Sequence, residues 1–178
     1  MAKTALLVID MLNDFVLQGA PLEVPETRDI LPALQKRLAA ARRAGWPVIF
    51  VCDAHAPDDS EFSRMGWPPH AVAGTAGAQV VAELAPEADE WLVTKTAYSG
   101  FFGTDLDAVL KKLQLENLVL TGCVSNICVL YTAADAVMRG YQVEVPTGCV
   151  ASINEEDGAF AYRQMRDVLG VQVIEKES

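Results

Sequence analysis

No apolar run in this sequence approaches the roughly 18–20 residues that a membrane-spanning helix needs. The N-terminal stretch MAKTALLVID carries one lysine and a short apolar run that meets an aspartate at once. It lacks the long apolar core and small-residue cleavage site of a secretory signal. Positive charge is also scarce. Fourteen Lys/Arg stand against 24 Asp/Glu, for a net charge of −10. The basic residues form no stripe, so nucleic acid and anionic membrane are poor partners. Histidines number two and cysteines four. Without an export signal, Cys52, Cys123, Cys128 and Cys149 read as reduced thiols in a cytoplasmic protein rather than as a disulfide framework. Repeats, low-complexity tracts and linker-like breaks are absent too. The expectation is a single domain over 1–178, long enough for a sizeable core.

What is present is an alternation of short β-branched or apolar runs with longer amphipathic ones. Residues 4–10, 46–53, 90–95, 117–122, 141–146 and 171–175 read as strands. Residues 27–45, 74–85, 104–114, 125–140 and 154–170 read as helices, with Thr104 as one N-cap and Gly45 and Gly140 as stops. Several strands are apolar on both faces, which suits a mainly parallel sheet covered by helices on each side. The predicted fold class is a three-layer α/β/α, doubly wound, six-stranded sheet.

Such sheets bind ligands outside the carboxyl ends of their strands. The first strand ends in Asp10, the second in Asp53 followed by His55, and the third in Lys95, while the fourth runs into the glycine turn before Cys128. One rim would thus carry a carboxylate, a metal-ligand pair, an ammonium and a thiol. Each has a plainer reading: Asp10 as a loop cap, Lys95 as a solvated strand end, every cysteine as a small core residue. Together they describe a site. A carboxylate beside a thiol can take its proton and return it to a leaving amine, and an ammonium stabilises both anions. A thiol in the first turn of a helix is expected to have a depressed pKa, and the free N–H groups there suit an oxyanion.

In CDAHAPDDSEFSRMGWPPH, Asp53 and His55 stand two apart, and an extended backbone projects both to one face. His70 follows a Trp67-Pro68-Pro69 approach. Two imidazoles and a carboxylate suit one divalent ion, Zn²⁺, Mn²⁺ or Fe²⁺, with positions left open. Glu61 or Ser60 is available as a further ligand, and the same D-x-H pair is common without any metal.

The stretches ALLVIDMLNDF, CDAH, WPPHAVAGTAGA, VTKTAYSGFFGTDLD and LTGCVSNICVLYTAADAVMRGY, taken in order, resemble the isochorismatase-like cysteine hydrolases, and within them the nicotinamidases. The resemblance implies Cys128 as nucleophile, with Asp10 and Lys95 completing a triad. It places a cis peptide between Cys123 and Val124, next to the oxyanion donors. It implies metal ligation by Asp53, His55 and His70, and deamidation of nicotinamide to nicotinate and ammonia through a thioester. Relatives with a glutamate ligand place it seven residues before the second histidine, where this chain has Ser63; Glu61 stands nine before. Phe15, Trp67 and Tyr98 are candidates for packing against the aromatic ring. The rival readings are a family amidase acting on an N-carbamoyl or ureido substrate, a non-haem Fe²⁺ oxygenase, and a non-catalytic thiol sensor. The partner implied is a small aromatic amide; no stretch decides whether copies of the chain form a homo-oligomer.

Overall fold

The structure, a computed structural model, describes residues 3–175; the first two residues of the MAKTALLVID stretch lie outside that range. In chain order the elements are β1 (Thr4–Ile9), α1 (Asn13–Val16), α2 (Glu26–Arg43), β2 (Val48–Asp53), α3 (Ser60–Met65), β3 (Trp91–Lys95), α4 (Leu106–Lys112), β4 (Asn117–Cys123), α5 (Leu130–Met138), β5 (Gln142–Pro146), β6 (Val150–Ala151), α6 (Glu155–Asp167) and β7 (Gln172–Ile174). The sheet runs β3-β2-β1-β4-β5-β7, with the two-residue β6 paired beside β4. All of its strand pairs are parallel.

Alternation along β1 explains the layers. Ala5, Leu7 and Ile9 join one core with Leu110, Ala133 and Met165. Leu6 and Val8 point the other way, into a core with Phe15, Ile30, Leu34 and Leu38. Each face therefore needs its own helical cover: α4, α5 and α6 on one side, α1 and α2 on the other. Burying a Leu or Ile of this kind contributes about 1.5–3 kcal/mol. In α2 the buried Ile30, Leu34, Leu38 and Ala41 recur every three or four residues, the spacing of a single helical stripe. Among the described residues, no helix is long and apolar enough to cross a membrane.

Three elements differ from expectation. The 74–85 segment is not an α-helix but two 3₁₀ turns, Ala76–Ala78 and Ala82–Leu84. Tertiary contacts hold it open. Asn13 Nδ2 donates to the Ala76 carbonyl at 2.8 Å, Val81 N–H donates to Met11, and Leu12 bridges Val80. The chain also presses on Asp14 so closely that a Cβ on Gly77 would lie 2.1 Å from its Oδ2. The 125–140 helix opens as a π turn, Ser125–Val129, before α5. At α4 the helix begins at Leu106, although Thr104 Oγ1 still accepts its N–H at 3.2 Å.

Chain order reverses between β1 and β4. β1 pairs with β2 on one side and β4 on the other, so their carboxyl ends open a crevice at the centre of the sheet.

Candidate active site

Three strand ends deliver charge to this crevice. Lys95 Nζ lies 2.7 Å from Asp10 Oδ2 and 3.5 Å from Cys128 Sγ, and it also pairs with Asp53 Oδ1. The residues are buried, with 1 % of Asp10, 2 % of Lys95 and 8 % of Cys128 exposed. Asp10 adopts a positive φ of 51°, and its Oδ1 accepts the Asp53 N–H at 2.8 Å, so the backbone of β2 fixes its carboxylate. Ligand atoms of Asp10, Asp53 and Cys128 all lie within 4.8 Å of one another.

Cys128 stands in the π turn. The Val124 carbonyl receives the N–H groups of Ile127 and Val129, each at 3.2 Å, on either side of it. The Cys123–Val124 peptide is cis. Cys123 instead donates its thiol to the Asp10 carbonyl, 3.1 Å away. Cys52 and Cys149 belong to the α2-side core, and all four cysteines are free.

The protonation pattern corrects one expectation. Helix-start placement pointed to a depressed Cys128 pKa; burial instead pushes it well above its ordinary value, with Lys95 opposing and Asp10 adding to the rise. Burial outweighs the helix end, and burial of this kind is invisible in sequence. Burial and the neighbouring Asp53 carboxylate raise Asp10 to about 6, against the pull of Lys95. Burial works against the Lys95 charge, but Asp10, Cys128 and Asp53 outweigh it and keep the ammonium protonated. Burial would likewise raise Asp53, yet Lys95 and His55 hold it below its usual value. The resting arrangement is therefore a thiol, two carboxylates and an ammonium.

A second group adjoins the first through Asp53. Asp53, His55 and His70 bring ligand atoms within 4.8 Å of one another. Backbone pairing brings the two histidines together: His55 N–H donates to Ala71 at 3.0 Å, and Ala73 N–H donates back to His55 at 2.9 Å. Both rings are oriented from behind. His55 Nδ1 meets Asp59 Oδ2 at 3.1 Å, and His70 Nδ1 meets the Pro68 carbonyl at 2.9 Å. With Nδ1 as the donor, each Nε2 keeps its lone pair for a metal. His55 Nε2 is buried without a hydrogen-bond partner. Asp53 Oδ2 lies 3.6 Å from it and Glu61 Oε2 3.5 Å. Burial disfavours a charged His55, but the surrounding carboxylates of Asp53, Asp59 and Glu61 raise its pKa to about 9. Such surroundings attract a cation, and the donor set fits a divalent ion. Glu61 is buried at this site, whereas Ser60 and Ser63 are exposed.

Asp10 and Cys128 of the first group, His70 of the second and the shared Asp53 line one cavity of roughly 200 Å³, together with Phe15, Trp67, Tyr98, Leu22, Val24 and Ile127. Its charged lining residues are Asp10, Glu23, Asp53 and Glu61, all acidic. Sequence reasoning passed over three supporting residues. Asp59 also caps α3, accepting the Glu61 N–H at 2.9 Å. Asp14 accepts the Ala71 N–H at 2.8 Å and so fixes the loop that carries His70. Phe62 packs its ring 5.4 Å from His55 and 5.1 Å from His70. The Asp59-Ser60-Glu61 run carried a capping signal for α3; Asp14 and Phe62 carried none.

Residues 4–178 match the family model described as an isochorismatase domain. Solved structures agree over nearly the whole chain. A pyrazinamidase/nicotinamidase from Streptococcus mutans is 34% identical, with a TM-score of 0.90, covering 97% of this chain and 100% of its own. An N-carbamoylsarcosine amidase from Thermoplasma acidophilum is 36% identical, with a TM-score of 0.88, covering 99% and 98%. A pyrazinamidase from Pyrococcus horikoshii, solved in complex with zinc, is 30% identical, with a TM-score of 0.90, covering 98% and 99%.

Proposed function

The chain belongs to the isochorismatase family of hydrolases, and from that premise we propose that it deamidates nicotinamide to nicotinate and ammonia through a thioester on Cys128. The observation that carries the choice of substrate is the cavity lining. Its walls are apolar and aromatic, and its charged lining residues are all carboxylates. The cations beside them are paired with carboxylates: Lys95 with Asp10 and Asp53, Arg28 with Glu23 and Arg64 with Glu61. An N-carbamoyl amino acid would bring its own carboxylate into this field, whereas a flat neutral aromatic amide meets no such repulsion.

Asp53, His55 and His70, with Glu61 adjacent, would hold the metal, which when bound supplies a Lewis-acidic seat for the ring nitrogen. Phe15, Trp67 and Tyr98 pack against the ring. Cys128 Sγ attacks the carboxamide carbon while its proton passes to Asp10, whose carboxyl is ionised at neutral pH. Lys95 stabilises the sulfur and carboxylate anions at its two flanks. Backbone N–H groups at Val124 and Cys128, in the turn entered through Cys123, receive the oxyanion. Losing one such donor typically costs about 2.7–4 kcal/mol. Asp10 returns the proton as the C–N bond breaks, and ammonia departs. Asp10 then takes a proton from water, whose oxygen attacks the thioester carbon. The C–S bond breaks, the acid leaves, and the proton returns to sulfur.

Ammonia release tests this reading. Wild type should turn over nicotinamide and pyrazinamide in preference to N-carbamoyl amino acids, and Cys128→Ala should abolish the activity while keeping its thermal melt. Chelation should raise the KM for nicotinamide before it unfolds the chain. Preference for the carbamoyl substrate would overturn the assignment, and so would substantial turnover by Cys128→Ala.

A further inference from the structure

The sulfur and the two carboxylates of the crevice form a cage of their own. Ligand atoms of Asp10, Asp53 and Cys128 lie mutually within 4.8 Å, the spacing of a metal centre. Two carboxylates and a thiolate are good donors for thiophilic divalent ions. Asp10 Oδ2 is buried in this cage, and the group it meets is the Lys95 ammonium, 2.7 Å away. Next door, sharing Asp53, stands the Asp53–His55–His70 group, which suits the same ions. A metal bound there would sit a few ångströms from a sulfur able to capture it, and capture would silence that sulfur as a nucleophile.

The centre of the cage is filled. Lys95 Nζ contacts Asp10 Oδ2, Asp53 Oδ1 and Cys128 Sγ at once, and 2 % of the residue is exposed. We infer that Lys95 acts as a resident cation that occupies a latent thiophilic metal site formed by Asp10, Asp53 and Cys128. It confines a divalent ion to the histidine side of Asp53. Asp53 divides accordingly: Oδ1 faces the ammonium, and Oδ2 lies 3.6 Å from His55 Nε2. Exchanging the ammonium for a divalent ion would release one proton from the Cys128 thiol, which leaves the formal charge of the cage unchanged. Exclusion therefore rests on the ammonium's occupancy of the space. The inference shares residues with the proposed reaction, but its test measures metal and not turnover, so either can fail alone.

The probe is Cd²⁺, added to the chelator-stripped full-length protein and followed by bound metal after desalting and by ultraviolet Cd–thiolate absorption. Wild type should bind one equivalent without thiolate absorption. Lys95→Ala should bind a second equivalent, with the absorption and a released proton. Lys95→Ala/Cys128→Ser should lose both. A thiolate signal in wild type, or a single equivalent in Lys95→Ala, would overturn the inference. Should Lys95→Ala fail to fold, alkylation of wild-type Cys128 by iodoacetamide decides the matter. Its rate should change less than about twofold with excess Cd²⁺, and slowing by about tenfold or more would show that the cage takes metal despite the ammonium.

Discussion

At the scale of single residues, Asp59 holds two things at once. One carboxylate oxygen caps α3, and the other sets the His55 ring. Asp59→Ala should cost about 1 kcal/mol of stability through the lost cap. It should also weaken metal binding about 10–100-fold, because the His55 tautomer is no longer fixed. A thermal melt and a competition titration against a chromophoric chelator measure the two effects separately. If metal affinity stayed at the wild-type value, Asp59 would be a cap and nothing more. The residues at strand ends were legible in sequence, since Asp10, Asp53, Lys95 and Cys128 needed only a parallel sheet to meet. Asp59 and Asp14 were not legible as site residues. They act by holding backbone and ring groups from across the fold, and such contacts leave no local pattern.

At the scale of elements, the tightest junction lies where β4 passes β1. Gly122 has a φ of 107°, and a Cβ there would sit 1.9 Å from the Ile9 carbonyl oxygen. Gly122→Ala should lower stability by more than about 4 kcal/mol, or prevent folding, because backbone cannot yield as a side-chain tip can. Urea denaturation reads the loss; a midpoint shift consistent with less than about 1 kcal/mol would contradict the close approach. The strands and long helices could be read from apolar alternation and helical spacing. The 74–85 segment could not. Its small residues carry no strong apolar stripe, so contacts with Met11, Asn13 and Asp14 decide its shape. β6 is only two residues long, too short for any periodicity to register.

At the scale of the whole molecule, two tyrosines tie stability to alkaline pH. Burial and a hydrogen bond to Asp107 raise Tyr141 to about 12; Tyr162, whose hydroxyl donates to the Val150 carbonyl at 3.3 Å, is also raised to about 12, first by burial. Both folded values exceed the ordinary value of 10. Their contribution is thus full below about pH 10 and is lost as pH climbs towards about 12, where the folded hydroxyls also ionise. The urea midpoint of wild type should fall across that window more steeply than that of the Tyr141→Phe/Tyr162→Phe variant. Equal slopes would remove the tyrosines from the account.

The central strand pair has a further consequence for how the protein is made. β1 aligns Thr4 with Asn117 and Ile9 with Gly122. A chain leaving the ribosome therefore carries its first strand for most of synthesis with one flank bare, and only β2 can join it early. Asp10 and Cys128 do not meet until β4 slides into that slot, so the proposed chemistry waits for closure of the sheet.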